Sequence, residues 1–194
     1  PALTVLPAAK FKIPSATEYL RSVKKVRPRL LQTAEGWAYL KSMMASDPVM
    51  TKMLENIKAS GEKLLETPEL TRVYGEQRST VTPGSKAIYR IAQLGVLHYM
   101  DGDPRWKDRG VKELNELCNF PDWYPDEAEV TADFVIACSL AWDWFRDGLN
   151  AQQVTKMKQF IAEKGVDVLV AHLDGEPPPA TARGQQPGAS DTKA

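Results

Sequence analysis

The residues best suited to proton transfer lie together at one point of the chain. His98 is followed directly by Tyr99, and the carboxylates of Asp101 and Asp103 come shortly after them. Histidine exchanges protons near neutral pH, and a neighbouring tyrosine or carboxylate can complete an acid–base pair. The same pattern is typical of a histidine that is hydrogen-bonded at the C-terminal end of a helix. His98 and Tyr99 are therefore candidate catalytic residues, with that structural role as the alternative.

Several aromatic side chains could bind sugar rings by stacking. Trp123 and Tyr124 lie on a short segment bounded by prolines, which predicts a rigid loop, and Tyr89 lies on a neighbouring helix. Flat aromatic faces suit the apolar faces of pyranose rings. Trp142 and Trp144 lie in an apolar helix instead, where such residues usually belong to the core. Trp123, Tyr124 and Tyr89 are the candidate sugar-binding aromatics.

A second group of candidates is ionic. Arg78 lies in a predicted loop and Arg90 in the helix that follows it, and a guanidinium can bind a carboxylated sugar through two hydrogen bonds. Otherwise they are ordinary surface or structural arginines. Asp133 and Asp143 lie ten residues apart in a largely apolar helix, close enough to three whole turns to place them roughly on one face. A buried carboxylate needs partners, so helix capping or ion pairing is the alternative to substrate contact, for which Asp133 is the candidate.

Other catalytic and ligand-binding patterns are missing from the sequence. There is no metal-ligand cluster, no glycine-rich phosphate loop and no Ser/His/Asp arrangement, so we expect neither a metal nor a cofactor. Cys118 and Cys138 lack metal-ligand spacing and lie in apolar surroundings. They are expected to be buried free thiols or, alternatively, one disulfide between neighbouring helices, and they do not identify the compartment.

Capping signals and hydrophobic periodicity predict an all-α chain. Essentially no segment shows the period-2 alternation of a half-buried strand. The predicted helices cover about 16–26, 33–45, 47–66, 84–100, 104–119, 127–146 and 150–172.

The helices are of two kinds. Residues 87–99 and 132–145 are apolar on nearly every side, whereas 104–118 is amphipathic and heavily charged. A helix that is apolar all round must be buried all round, so the alternation predicts inner helices covered by an outer layer. Equivalent positions recur about 43–46 residues apart, within the range of helical hairpin repeats. Toroids and α-solenoids are both built in this way.

The two ends of the chain differ from this helical region, which we place at 15–173. Residues 1–14 are expected to be extended, and the Pro1 start suggests a removed leader or an arbitrary start. Residues 174–194 contain four prolines and no large apolar side chain, which predicts a disordered tail or linker.

Charge and hydropathy exclude some classes of partner. Lys+Arg and Asp+Glu number 25 each, so no global field indicates nucleic acid. The segment from Lys10 to Lys41, however, contains eight basic residues and only two acidic ones, which indicates a solvated arm or part of a polyanion-binding face. The longest apolar run spans about half a bilayer, so no membrane-spanning helix is expected.

A series of motifs runs along the helical region. They are RPRLLQT from Arg27, ASDP from Ala45, IAQLGVLHY from Ile91, DGDPRW from Asp101, FPDW from Phe120 and TADFVIACSLAWDWF from Thr131. Together they resemble the N-terminal helical domain of the heparinase II/III-like polysaccharide lyases, a group that includes alginate and oligoalginate lyases. The resemblance covers about 27–170 and implies an incomplete (α/α) toroid of layered helical hairpins.

The resemblance also implies a chemistry, and here the chain departs from the family. Such lyases remove the C5 proton of a uronate and eliminate the glycosidic oxygen. Glu127 and Val130 stand where a loop histidine and an aspartate are expected, and Asp133 replaces a glutamate. The family's remaining catalytic motifs lie beyond the position of His172, so no catalytic residue is carried over. A closed ring would need about twice the helix pairs present here, so the chain is expected to be a fragment, a shortened relative or half of an oligomer.

The sequence therefore predicts a secreted or periplasmic helical domain that binds acidic polysaccharide without lyase turnover. A further domain or a second copy would complete the toroid. The alternative is a helical-repeat module whose concave face binds a protein, and a weaker one is a catalytic domain completed by dimerisation.

Overall fold

The computed structural model describes residues 15–23, 25–44, 46–72 and 82–184, and within these ranges the chain forms helices and no β-strands. The helices are α1 (Ala16–Ser22), α2 (Ala34–Met44), α3 (Pro48–Glu66), α4 (Pro83–Met100), α5 (Pro104–Asn119), α6 (Ala128–Phe145), α7 (Ala151–Phe160) and α8 (Asp167–Asp174). Short 3-10 turns lie at Arg146–Gly148 and Ala180–Ala182, and a π-helical turn lies at Ile161–Val166. The all-α prediction is confirmed.

Three helices, α3, α4 and α5, begin in the same way. The side chains of Asp47, Thr82 and Asp103 each accept a hydrogen bond from a backbone amide in the first helical turn. Proline follows each cap, where its missing amide hydrogen costs nothing because that position has no intrahelical partner. Since Thr82 is the cap, α4 begins at Pro83, slightly earlier than predicted.

The two helices predicted to be buried on all sides, α4 and α6, pack against each other at the centre of the fold. They run parallel, because Gly84 lies against Asp133 near their N-terminal ends and Gly95 lies against Trp144 near their C-terminal ends. A Cβ atom at Gly95 would lie 2.0 Å from the Trp144 ring, so glycine permits this close approach. Their fully buried side chains form much of the core: Ile91, Leu94, Leu97, Phe134, Ala137, Cys138, Ala141 and Phe145. The predicted central pair is confirmed, but burial on every side is not, because Tyr89 on α4 and Ile136 on α6 are 63% and 48% exposed.

The remaining long helices pack around this centre as successive hairpins. Arg109 on α5 donates a hydrogen bond to the carbonyl oxygen of Leu65 on α3, 44 residues away. Lys164 makes the corresponding contact to Cys118 on α5, 46 residues away. This near-constant spacing agrees with the hairpin repeat predicted from the sequence.

The last predicted helix is interrupted by the π-helical turn between α7 and α8. Lys164 lies in this turn, and its Nζ donates to the backbone carbonyls of Cys118, at 3.2 Å, and of Phe120. Carbonyls at the C-terminal end of a helix lack intrahelical partners. Lys164 therefore stabilises the end of α5, a role that hydrophobic periodicity alone does not predict.

The prediction of a disordered tail from residue 174 onward is wrong for residues 174–184. Gly175 ends α8 in the left-handed conformation. The chain that follows folds back, and its 3-10 turn at Ala180–Ala182 packs against the π-helical turn. Ala182 is fully buried, and the Arg183 guanidinium forms two hydrogen bonds to the carboxylate of Asp126. Prolines before this contact restrict the unfolded chain, which lowers the entropy cost of ordering it. Residues 185–194, and the predicted extended segment 1–14, lie outside the described residues.

In the described part of the chain, no helix combines the length and the apolar character that a membrane span requires, as the sequence predicts.

Candidate functional site

His98 and Tyr99 lie at the C-terminal end of α4 among aromatic rings. The His98 ring centroid is 4.8 Å from that of Tyr99 and 6.0 Å from that of Phe145. Its Nδ1 is buried and has no hydrogen-bond partner among the described residues. Burial lowers the pKa of His98, and the nearby Lys107 lowers it further, against the smaller opposite effect of Asp147. The imidazole is therefore neutral at neutral pH.

Tyr99 packs in the same cluster and is poorly suited to act as a base. Its ring stacks on Trp37 with centroids 4.9 Å apart, and its hydroxyl donates to the carbonyl oxygen of Trp144 at 3.4 Å. Burial, with a contribution from the negative charge of Asp143, raises the pKa of Tyr99 to about 12. A base must be deprotonated before it accepts a proton, so Tyr99 cannot fill that role near neutral pH. The geometry favours a structural role for this pair, but one of ring packing, because His98 Nδ1 lacks the hydrogen bond that the predicted alternative requires.

Trp123 is wrong as a sugar-stacking residue. The side chain is fully buried, its Nε1 donates to the carbonyl oxygen of Leu117 at 2.9 Å, and its ring stacks on Phe134 at 5.9 Å. The FPDW loop folds inward and carries this ring into the core. A buried indole satisfied by a backbone carbonyl has no face left for a ligand.

Tyr124, the second loop candidate, is half-buried and already packed. Its ring stacks on Phe134 with centroids 6.0 Å apart, and the Arg72 guanidinium lies 3.4 Å from the ring centroid. Asp122 joins the two, because its Oδ1 accepts hydrogen bonds from the Arg72 Nε and from the Tyr124 backbone amide. The cation–π contact and the ion pair hold the loop in place. Sugar stacking would require displacing this arrangement.

Arg90 belongs to a buried ionic cluster. Its Nη1 donates to Glu113 Oε1 at 3.0 Å and to the Pro68 carbonyl at 2.8 Å. The same carboxylate oxygen accepts hydrogen bonds from Arg109. The Arg109 guanidinium also donates to the carbonyl oxygen of Leu65, near the C-terminal end of α3. The cluster therefore fixes the end of α3 and the loop that follows it. Arg90 is committed to this role and is not available as a bidentate ligand for a sugar carboxylate.

Asp133 links α6 to the start of α4. Its Oδ2 accepts hydrogen bonds from the hydroxyls of Ser85, at 3.0 Å, and Thr82, at 3.2 Å. These contacts favour the structural alternative for this carboxylate. Arg78 lies outside the described residues, so its predicted role stays a prediction.

Tyr89 is the described candidate that stays open to solvent. It lies on α4 and is 63% exposed, and it borders a shallow pocket of about 190 Å³ together with Ile57, Ala92 and Val96. Lys86 is exposed one turn earlier on the same helix. Residues three apart on a helix are neighbours on its surface, so a flat ring and a cation lie side by side here.

The partner of Asp143 is the main feature that the sequence did not identify. The Asp143 side chain is fully buried and pairs with the Arg27 guanidinium. Its Oδ2 accepts from the backbone amides of Arg29, at 2.7 Å, and Leu30, at 2.9 Å. The only signal was a carboxylate in an apolar helix, which predicts pairing but not with which residue.

Metal binding by histidine, cysteine, aspartate or glutamate finds no support in the described ranges, where no three such side chains are grouped to hold an ion. Comparisons with protein-family models and with curated proteins found no match for the chain.

Proposed function

We propose that this chain is the N-terminal helical part of a heparinase II/III-like polysaccharide lyase, and that it binds uronate-containing polysaccharide without catalysing elimination. The observation that carries the proposal is spatial. The RPRL segment and the WDW triplet each resemble the family in sequence, and Arg27 of the first meets the buried carboxylate of Asp143 in the second. Two motifs 116 residues apart therefore act as one structural unit.

The absence of turnover follows from what elimination requires. A base must remove the C5 proton, and a hydrogen-bonding partner must neutralise the adjacent carboxylate. Tyr99 has a pKa of about 12 and donates its proton to a backbone carbonyl, while His98 is packed among aromatic rings. Neither side chain is set up for that chemistry.

Tyr89 is the contact we propose for the polysaccharide. Its exposed ring can stack on a pyranose, and the Lys86 ammonium one turn away can pair with a uronate carboxylate. Uronates carry one negative charge per sugar, so binding should weaken as salt screens that pairing.

Affinity electrophoresis in native gels tests this proposal. Alginate or heparan sulfate in the gel should retard the protein, and neutral dextran should not. Tyr89→Ala should lose the retardation, whereas Tyr39→Ala, which removes an equally exposed ring on α2, should keep it. Absent retardation in both acidic polysaccharides, or equal behaviour of the two variants, contradicts the proposed site. Ultraviolet absorbance from unsaturated uronate products would contradict the absence of turnover.

A protein-interaction module is the second candidate function, and one observation favours it. An apolar groove of about 350 Å³ opens between α2, α3 and α4, bordered by side chains such as Trp37, Met53 and Met100. Methionine-rich surfaces adapt readily to apolar partners.

A further inference from the structure

Most of the methionines in the chain lie in one groove. The chain contains six methionines, and four of them, Met44, Met50, Met53 and Met100, line an open cavity of about 350 Å³ between α2, α3 and α4. We call this cavity the methionine groove. Its other walls among the described residues are aliphatic side chains and the indole of Trp37. The thioether sulphurs are therefore the side-chain atoms of these walls that can offer a lone pair to an ion.

Contacts between α2 and α3 bring three of these methionines together. Met44 ends α2, and its carbonyl oxygen accepts a hydrogen bond from the Thr51 hydroxyl in the first turn of α3 at 2.9 Å. Met50 and Met53 lie three residues apart on α3, and residues at this spacing are neighbours on one helix face. Met44 and Met50 are half-buried, whereas Met53 is exposed. An ion in solution can therefore reach this group of thioethers.

Met100 supplies the fourth thioether from α4. It is the last residue of that helix and is almost fully buried. The next residue, Asp101, accepts a hydrogen bond from the Lys58 ammonium of α3 at 2.7 Å, which holds the end of α4 against α3. The four methionines thus come from three helices. Ligand spacing along the sequence cannot reveal such a group, which is why the sequence predicts no metal.

Thioethers select a particular kind of metal ion. They are soft, uncharged ligands that suit Cu(I), whereas Mg²⁺ and Ca²⁺ prefer oxygen and Zn²⁺ prefers nitrogen, thiolate or carboxylate. The walls of the groove carry no charge to offset that of an ion, so a monovalent ion is less costly to bind there than a divalent one. The indole of Trp37 also attracts cations. Because methionine side chains are unbranched and flexible, their sulphurs can converge on one ion.

We propose that the methionine groove is a binding site for Cu(I), held by at least three of the four thioether sulphurs. The ion enters and leaves in the same oxidation state, so binding needs neither an oxidant nor a reductant. This proposal is independent of polysaccharide binding, because Tyr89 does not line the groove.

Methyl NMR of the full chain, labelled with ¹³C at the methionine methyl groups, locates the ion. The probe is Ag(I), which matches Cu(I) in charge and softness and is stable in air. One equivalent should shift at least three of the four methyl signals from the groove. The signals of Met43, exposed outside the groove, and of Met157, buried on α7, are the internal controls and should stay in place. One equivalent of Zn²⁺ should move none of the six signals.

Two results of this titration would overturn the proposal. Shifts in fewer than three groove methyls would show that the thioethers do not act together. A Met43 signal that moves as far as the groove signals would show that Ag(I) binds any exposed thioether.

Competition with bicinchoninate under anaerobic conditions measures the Cu(I) affinity itself. The double variant Met50→Leu with Met53→Leu should bind at least about tenfold more weakly, since even the loss of a group that supports a metal ligand costs about 10–100-fold. Met43→Leu should bind as the wild type does. Leucine keeps the size and apolar character of methionine, and circular dichroism with the thermal midpoint should confirm that both variants fold. Unchanged affinity in the double variant would place the ion elsewhere, for example on the cysteine thiols, and would overturn the proposal.

Discussion

The guanidinium of Arg27 pairs with the fully buried carboxylate of Asp143 across 116 residues of sequence. The same carboxylate accepts two backbone amides from Arg29 and Leu30, so it fixes the path of the chain before α2. Trp144 adds a hydrogen bond from its Nε1 to the Leu30 carbonyl at 3.3 Å. The Asp143 side chain thus attaches the segment that precedes α2 to the central helix α6.

Removing this carboxylate should destabilise the fold strongly. Asp143→Ala leaves the Arg27 charge and two amides without their partner, and we expect the free energy of unfolding to fall by about 3–5 kcal/mol. Urea denaturation measures the change. Asp147→Ala, at an exposed position nearby, should change it by no more than about 0.5 kcal/mol. A loss below about 1 kcal/mol for Asp143→Ala would refute the structural role assigned to the pair.

The close packing of α4 on α6 predicts an unusual response at Gly95. Alanine has a higher helix propensity than glycine, so this substitution usually stabilises a helix. At Gly95, however, the added Cβ atom would overlap the Trp144 ring. Gly95→Ala should therefore lower the free energy of unfolding by about 1–3 kcal/mol. The matched control is Gly36→Ala on α2, where the obstructing atom is the end of the Gln32 side chain. That variant should be neutral or stabilised by up to about 1 kcal/mol, and stabilisation by Gly95→Ala would contradict the packing.

Stability should depend on pH through His98. Because burial lowers the pKa of His98 in the folded state, the unfolded chain binds its proton first as the pH falls. Stability is thus complete above the ordinary histidine pKa of about 6.5 and declines as the pH drops from there toward the folded pKa. His98→Gln should flatten this slope. With two histidines in the chain, NMR titration can follow each ring, and a His98 pKa above 6.5 would disprove the assignment.

The two cysteines should be unreactive in the folded protein. The structure has Cys118 and Cys138 as buried free thiols, and burial raises the pKa of Cys138 well above its usual value. The Cys138 thiolate is therefore scarce. The hydrogen bond with Cys138 lowers the pKa of Cys118, so it is burial that shields the Cys118 thiol from reagents. Ellman's reagent should label neither thiol in the native state and both after denaturation. Rapid labelling of the native protein would be inconsistent with this burial.

The sequence predicts the helices well because their signals are local. Asp47-Pro48 and Asp103-Pro104 carry the cap and the first helical residue side by side, and α3 and α5 begin where those pairs predict. The apolar character of α4 and α6 likewise predicts their central position, although Tyr89 and Ile136 stay exposed on them.

The candidate site was harder to predict because burial in loops has no periodic signal. Trp123 lies between prolines, and only the folding of the loop onto Phe134 decides that it points inward. From the sequence, Arg90 is a plausible ligand for a substrate carboxylate. In the fold, the packing of α5 places Glu113 beside it, and the two form an ion pair. Pairings between residues far apart in sequence depend on the tertiary fold.

Calorimetric titration of a size-defined uronate oligosaccharide into the protein tests the proposed function most directly. We predict saturable binding by the wild type and by Tyr39→Ala, with weaker binding at high salt. Tyr89→Ala should give no heat beyond dilution. Absence of binding by the wild type, or unchanged binding by Tyr89→Ala, would contradict the proposal that this helical domain binds acidic polysaccharide at Tyr89.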